Sequence, residues 1–310
     1  MSAWTEPAWR TAADAWIEQQ LVAIGSERTG EIDQMHVRPW STVMRVPTTT
    51  GDVFFKANAP ALKFEAALVT LLAARRPDCV PPLLAADLER GWMLMAGAGA
   101  KLRDVVAEER ELVRWLDVLP LYAGVQIDLA DQIDELLAAG VPDLRLASLP
   151  AKAQAMIDDL ASLGVDEIRR TADSMPAIID DCARLASFGV PETIQHDDLH
   201  DGQVFVKDGR YLLLDWGDAC VSHPFFTLAV TLDGFIAWGV DDVENSEDTA
   251  PYLDAYLAPF TVYERVDLVA AATIGRRLGW LCRAVNGHQG ATEGDESTLT
   301  RLRMFLDGRA

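Results

Sequence analysis

The chain changes its hydrophobic period at Ala96-Gly-Ala-Gly-Ala100, and this restricts its possible folds more than any other feature. Before that segment, short runs of strand-forming residues are separated by turns. After it, apolar residues recur at helical spacing from Lys101 to about Phe188. A chain with strands gathered in one part and helices in the other belongs to the α+β class. The segment itself has no side chain large enough to pack, so it reads as a hinge between two lobes. Length agrees: chains beyond roughly 250 residues usually divide into two cores, and this one has 310.

Trp4, Trp9, Trp16, Leu21 and Ile24 lie at helical spacing among charged residues, which predicts an amphipathic helix on the first lobe. Gln34 to Val46 is rich in strand formers and is interrupted at Arg38-Pro-Trp-Ser41. The turn Thr48 to Asp52 then leads into a strand over Val53 to Ala57. Pro60 suits the first turn of a helix, and Phe64, Leu68, Leu71 and Leu72 continue it until Pro77. Strands over Pro82 to Ala86 and Trp92 to Met95 meet at Glu89-Arg-Gly91, which gives the order β-β-β-α-β-β. In the helical part, the pattern predicts pieces over Val105 to Val125, Leu129 to Ala139 and Ala151 to Leu163. One β island interrupts it, Gln203 to Val206 and Tyr211 to Asp215, around the hairpin signal Asp208-Gly209. From Phe225 onward the pattern returns to helix, with the acids Asp241, Asp242, Glu244, Glu247, Asp248 and Asp254 reading as a solvated face without a base among them.

Lys and Arg number 27 against 48 Asp and Glu, a formal charge of −21. Such a surface repels a phosphate backbone, which argues against nucleic acid, and it attracts cationic small molecules. Cys79, Cys182, Cys220 and Cys282 are far apart and form no CxxC pair, so they read as buried, reduced thiols of a cytoplasmic protein. Met1 to Glu6 has neither the basic nor the apolar region of a secretory leader. The apolar stretch Leu228 to Val240 is broken by Asp233 and is too short to span a bilayer. Neither a membrane nor a protein partner is expected.

The densest chemical signal is Gln195-His-Asp-Asp-Leu-His-Asp-Gly-Gln203, followed twelve residues later by Asp215-Trp-Gly-Asp218. Two of the five histidines fall in this stretch, beside a hairpin, where loops on a rigid scaffold position reactive side chains. His196-x-Asp198-Leu-His200-x-x-Gln203, the hairpin and Asp215-Trp-Gly217 resemble the catalytic and metal-binding loops of aminoglycoside phosphotransferases and choline-kinase-like small-molecule kinases. The resemblance runs from about Gln34 to about Ala237 and implies a bilobal protein-kinase-like fold. A small antiparallel-sheet lobe with one main helix (residues 1–96) would bind the nucleotide. A larger, mostly helical lobe with a β-hairpin catalytic core (residues 97–310) would hold catalysis and acceptor.

By that resemblance Asp198 is the catalytic aspartate that takes or orients the proton of the attacking hydroxyl. Asp215 holds Mg²⁺, and Gln203 stands where the family carries a metal-binding asparagine, one methylene longer. Lys56 neutralises the nucleotide phosphates and Glu65 is its ion-pair partner, with Lys63 a competitor placed in the first turns of a helix. Ser41 and Thr42 offer hydroxyls and N–H groups to phosphate, in a connection that lacks the glycines of a protein kinase. Met95 to Gly97 faces the adenine edge. His196 and His200 brace the loop, and Asp201, Trp238 and Trp280 line the acceptor site. The implied cofactors are ATP or GTP with Mg²⁺, and the implied acceptor is a small-molecule hydroxyl compound such as an aminoglycoside, amino sugar or amino alcohol. Two other readings stay open: a nucleotide-binding module without transfer activity, suggested by Gln203 and the glycine-free loop, and a metallohydrolase built on His196, Asp198, His200 and Asp201.

Overall fold

The computed structural model describes residues 3–290 and 294–308. Its first sheet is antiparallel throughout, built from β1 (Asp33–Val37), β2 (Ser41–Val46), β3 (Val53–Asn58), β4 (Leu83–Asp87) and β5 (Trp92–Ala96). Their order is β1-β2-β3-β5-β4, so β3 is central. Side chains alternate across a strand, and β3 uses both faces. Val53, Phe55 and Ala57 enter an apolar cluster with Trp92 and Leu94, which helix α1 (Pro7–Ala23) covers with Ala13, Trp16, Ile17 and Leu21. Phe55 is the hub of that cluster, with its ring centroid 5.6 Å from Trp16 and 5.5 Å from Trp92. The even positions, Lys56 and Asn58, point to the opposite face, where α2 (Phe64–Arg75) begins with Glu65 in its first turn. Pro60 opens a separate 3₁₀ turn, Pro60–Leu62, before α2.

The chain divides into two compact units, and the division is not a single cut. The first unit holds the chain up to Ala100 together with Phe205–Gly217; the second holds Lys101–Val204 and the chain from Asp218 onward. A boundary at 96/97 therefore leaves out the return of the hairpin, which pattern alone does not assign to a partner. The short strand β6 (Ala100–Lys101) pairs with β8 (Val204–Lys207), and β8 turns into β9 (Arg210–Leu213) through Asp208 and Gly209. Both turn residues have positive φ, 51° and 74°, as a tight hairpin requires. The small-residue segment packs against the hairpin of its own unit. Gly99 has φ 90°, and a Cβ there would overlap the carbonyl oxygen of Val206. Lys207 Nζ also donates to the Gly97 carbonyl at 2.6 Å. Small residues stand there because hairpin backbone lies against them.

In the second unit, α3 (Leu102–Glu109) and α4 (Trp115–Leu129) replace the single helix expected over 105–125. Arg110 ends α3 in the left-handed region, φ 59°, with its N–H on Val106 O. After α5 (Ile133–Ala138), α6 (Leu149–Leu160), α7 (Asp166–Asp173) and α8 (Met175–Ser187), a two-stranded pair forms from β7 (Thr193–Gln195) and β10 (Cys220–Ser222). Three-residue strands carry no readable period, so neither was expected. The C-terminal part contains a π-helical turn over Ala229–Phe235, then α9 (Ala250–Leu257), α10 (Arg265–Gly290) and α11 (Asp295–Asp307). Gly279 lets α10 lie directly on Phe226, whose carbonyl a Cβ would strike. The four cysteines are free and buried. Among the described residues no helix is long and apolar enough to cross a membrane.

The acidic run is less bare than its sequence suggests, because arginines reach it from elsewhere in the same unit: Arg110 pairs with Asp241 and Arg265 with Asp254. Phe55→Ala should lower the unfolding free energy of the first unit by about 3–5 kcal/mol, the usual cost of emptying a large aromatic site. The exposed Val262→Ala should change stability by about 0.5 kcal/mol or less. Denaturant titration followed by tryptophan fluorescence reads both.

Candidate active site

Within the first unit, two carboxylates from different parts of the chain converge on one ammonium group. Lys56 Nζ donates to the Glu65 carboxylate at 2.7 Å and to Asp215 Oδ1 at 2.6 Å. Asn58, two residues along β3 and hence on the same face, donates Nδ2 to Glu65 Oε2 at 2.8 Å. Asn58 has no counterpart among the expected residues, although its spacing from Lys56 was a signal for a second polar group on that face. Burial works against a charge on Lys56, yet Asp215 and Glu65 outweigh it and raise its pKa. Lys63, the competitor, lies exposed at the start of α2 and takes no part in this cluster. Asp215 has φ 63° and keeps 53% of its side chain exposed, so an ion can reach its carboxylate.

The other nucleotide-site expectations fare unevenly. Thr42 is fully buried; it donates to His36 O at 2.7 Å and accepts from Gln34 Nε2 at 2.9 Å. Its hydroxyl is committed to the β1–β2 pair and is not a donor for phosphate, which corrects the expectation for this residue. Ser41 is buried opposite Asn58 in the β2–β3 register, with its carbonyl closing the turn onto Arg38 N. Met95 is half-buried in β5, opposite Phe54, and the Gly97 carbonyl is taken by Lys207.

In the second unit, β7 delivers the loop 196–203. Asp197 turns the chain with φ 64° and is itself held by two buried amides, Gln195 Nε2 at 2.8 Å and Asn286 Nδ2 at 2.8 Å. Burial pushes its carboxyl up to about 7 against the pull of Arg283 and Asn286. Asp198, next in the chain, keeps 20% of its side chain exposed. Its Oδ1 receives Arg283 Nη2 at 2.5 Å, and its Oδ2 faces Gln203 Nε2 at 3.2 Å and His200 Nε2 at 3.6 Å. Burial opposes its charge, but Arg283 above all, with His200, holds it well below the usual carboxylate range.

His196 sits wholly inside, and its backbone N–H donates to the Tyr122 hydroxyl at 2.9 Å, which anchors the main chain at the start of the loop. Tyr122 belongs to a buried polar network in which Gln126 Nε2 donates to Tyr122, to Ile194 O and to Pro224 O. His200 lies on the outer side of the loop: Gly202 N stands 2.9 Å from its Nδ1 and its Nε2 faces Asp198, and although burial opposes its charge, Asp198 and Asp201 push its pKa up to about 9. Asp201 is buried and bound by Arg103 at 2.8 Å, so it shapes the loop and is not open to an acceptor, a correction to its expected role. The loop is also tied by Thr231 of the π-helical turn, whose hydroxyl donates to Leu199 O at 2.8 Å. Thr231, Arg283 and Asn286 were not legible as site residues, because nothing in a linear pattern relates them to residues 196–203. Among the described residues no group of three or more His, Cys, Asp or Glu side chains is arranged to hold a metal ion, so the metallohydrolase reading lacks a ligand set.

A cavity of about 470 Å³ lies farther along the same unit, lined by Trp280, Asp233, Arg276, Glu247 and Phe305 among others. Its acids are partnered, Asp233 by Arg276 Nε at 3.0 Å and Glu247 by the Tyr252 hydroxyl at 3.0 Å. Trp238 is half-buried and is not among the lining residues.

A family model described as the phosphotransferase enzyme family matches residues 40–269, and the chain belongs to that family. Solved structures with the same kinase-like fold include a macrolide 2′-phosphotransferase type I, 16% identical over 97% of this chain and 98% of that one, with a TM-score of 0.58. An ethanolamine kinase of Plasmodium vivax is 12% identical over 90% of this chain and 81% of its own, at 0.63. An APH(2″) protein in complex with GDP and kanamycin is 12% identical over 95% and 97%, at 0.62. No curated protein matches the chain in sequence.

Removing one partner of a buried ion pair strands the other. Glu65→Ala should therefore lower the stability of the first unit by about 3 kcal/mol or more, whereas Glu65→Gln, which still accepts from Asn58, should cost less; thermal denaturation of the two variants side by side separates them.

Proposed function

We propose that this phosphotransferase moves the γ-phosphoryl group of ATP or GTP to a hydroxyl of a small molecule, with Mg²⁺ as the accompanying cation. The observation that carries this reading is the ammonium of Lys56 held between Glu65 and Asp215, residues 9 and 159 positions away. A buried lysine fixed by two carboxylates has one evident use for its remaining donor capacity, which is to meet phosphate oxygens.

The donors present fit a hard cation. Asp215 offers an exposed carboxylate. Gln203 offers an amide oxygen, because an ionised carboxylate accepts but cannot donate, so the amide nitrogen is the end turned to Asp198 and the oxygen is the end left for a metal. When bound with nucleotide, Mg²⁺ neutralises charge on the phosphates. Asp198 then receives the acceptor hydroxyl. Its depressed pKa suits a group that orients the hydroxyl and accepts its proton late, as the O–P bond forms, rather than one that strips it beforehand.

For the acceptor, the cavity beside Trp280 is the candidate site. The lining holds two acids, Asp233 and Glu247, and two arginines, Arg276 and Arg277, so it carries no surplus of negative charge. The attraction for a cation expected from the net charge of the chain is then long-range, acting on encounter, and the cavity itself suits a hydroxylated molecule with apolar surface for Trp280 and Phe305. Macrolides, kanamycin-like aminoglycosides, choline and ethanolamine are the acceptors to try.

Asp198→Asn should lower kcat by about 10²–10⁴-fold while Mg·ATP or Mg·GTP still raises the melting temperature. Lys56→Ala and Asp215→Ala should abolish that thermal shift. Undiminished turnover by Asp198→Asn would remove the base, and a nucleotide shift without turnover on any acceptor would favour a binding module instead.

A further inference from the structure

Helix α10 lays three consecutive contact positions on the segments that carry the catalytic machinery of the second unit. Gly279, Arg283 and Asn286 are spaced four and three residues apart and so share one face. Gly279 admits the backbone of Phe226. Arg283 donates Nη1 to the carbonyl oxygen of Asp197 and Nη2 to Asp198 Oδ1 at 2.5 Å. Asn286 donates Nδ2 to Asp197 Oδ2 at 2.8 Å and to Asp218 O at 2.7 Å. One guanidinium therefore holds both the backbone and the side chain of two adjacent residues. A planar fork with fixed donor directions does this, and a single ammonium cannot.

The contact also makes the two oxygens of Asp198 unequal. Oδ1 takes the short, charge-assisted bond from Arg283, while Oδ2 takes the longer contacts of Gln203 Nε2 at 3.2 Å and His200 Nε2 at 3.6 Å. We propose that Arg283 is the positioning residue of the phosphotransfer site: through Oδ1 and the Asp197 carbonyl it fixes the orientation in which the Asp198 carboxylate meets the acceptor hydroxyl. This rests on the phosphotransferase reading above. Because Asp197 adopts a left-handed conformation that costs free energy in a non-glycine residue, the loop needs an external restraint, and Arg283 with Asn286 supplies it. The arginine touches no reacting atom. Its influence is the placement of Asp198, and misplacement of a reacting group by about 1 Å can cost about 10²-fold in rate.

The test is steady-state turnover of Mg·ATP and Mg·GTP by the full chain with kanamycin, a macrolide, choline and ethanolamine as acceptors and with water alone, for the parent protein, Arg283→Ala, Arg283→Lys and Asp198→Asn. Arg283→Ala should lower kcat about 10²-fold and leave the nucleotide KM within about twofold. Millimolar guanidinium should restore part of the lost kcat to Arg283→Ala and none to Asp198→Asn, a rescue that a merely structural role would not give. Arg283→Lys, which keeps the charge but cannot grip both oxygens, should fold as the parent does by melting temperature and fall between parent and Arg283→Ala in kcat. If Arg283→Ala does not fold, the lysine variant decides. Full kcat in either folded variant, or loss confined to KM, would overturn the proposal while leaving the phosphotransferase reading intact. No turnover by the parent protein on any acceptor or water would instead overturn that reading, and this one with it.

Discussion

A lysine ammonium inside a protein must be paired, because an unmatched buried charge costs several kcal/mol. In the first unit this requirement fixes the placement of much else. Lys56 is on the central strand, with only 8% of its side chain exposed, and it faces away from the tryptophan cluster. Its first partner, Glu65, must then come from the helix covering that face, which sets where α2 begins relative to β3. Its second partner, Asp215, comes from far along the chain, so the hairpin β8–β9 has to return to this unit for the charge to be satisfied. Asn58 completes the set by donating to Glu65 Oε2. The hairpin's return in turn dictates the glycine at 99, where its backbone lies too close for a side chain.

The second unit solves a different problem. Its loop 196–203 must hold an ionised carboxylate partly in solvent, on a backbone that passes through a left-handed aspartate. Rigidity comes from three sides: the buried amides and hydroxyls of Tyr122, Gln126 and Gln195 beneath, Thr231 on the Leu199 carbonyl, and α10 through Arg283 and Asn286. Nearly every donor in this network ends on a backbone carbonyl or a carboxylate, so deletion of one leaves a buried acceptor unmet rather than simply removing a contact. The π-helical turn at Ala229–Phe235 fits this role, since the irregular spacing lets Thr231 face the loop while Asp233 faces the cavity and Arg276.

What was legible in the sequence follows the range of each interaction. The alternation of Val53 to Asn58 and the helical repeat after Pro60 are local, and they showed a strand carrying Lys56 and a helix carrying Glu65; that the two pair came from the family resemblance alone. The crowding of titratable residues between Gln195 and Gln203 was local as well. The helices α3 and α4 were merged because Arg110, a residue with no special tendency for the left-handed region, makes the break. Thr42 looked available to phosphate because nothing in the order of residues shows that Gln34 and His36 on the neighbouring strand claim its hydroxyl. Asp201 was read as open for the same reason, its arginine being 98 residues away. Arg283 and Asn286, 85 and 89 residues from the aspartates they hold, lie beyond the reach of any period.

Charge gives the last distinction between pattern and structure. A net charge of −21 invites the idea of a negative acceptor pocket. Yet of the two acids in the cavity lining Asp233 is paired by Arg276 and Glu247 is held by the Tyr252 hydroxyl, and members of the exposed acidic run are paired by Arg110 and Arg265. Surface ion pairs of this kind contribute about 0–1 kcal/mol each, so they do little for stability, but they do cancel local field. What remains of the net charge is spread over the molecular surface, where it acts at long range and is screened by salt over about 8–10 Å. If the acceptor binds in this cavity, as proposed, its selection falls to shape, to the Trp280 and Phe305 surfaces and to the polar atoms between them, while the excess of acids governs how fast a charged molecule arrives.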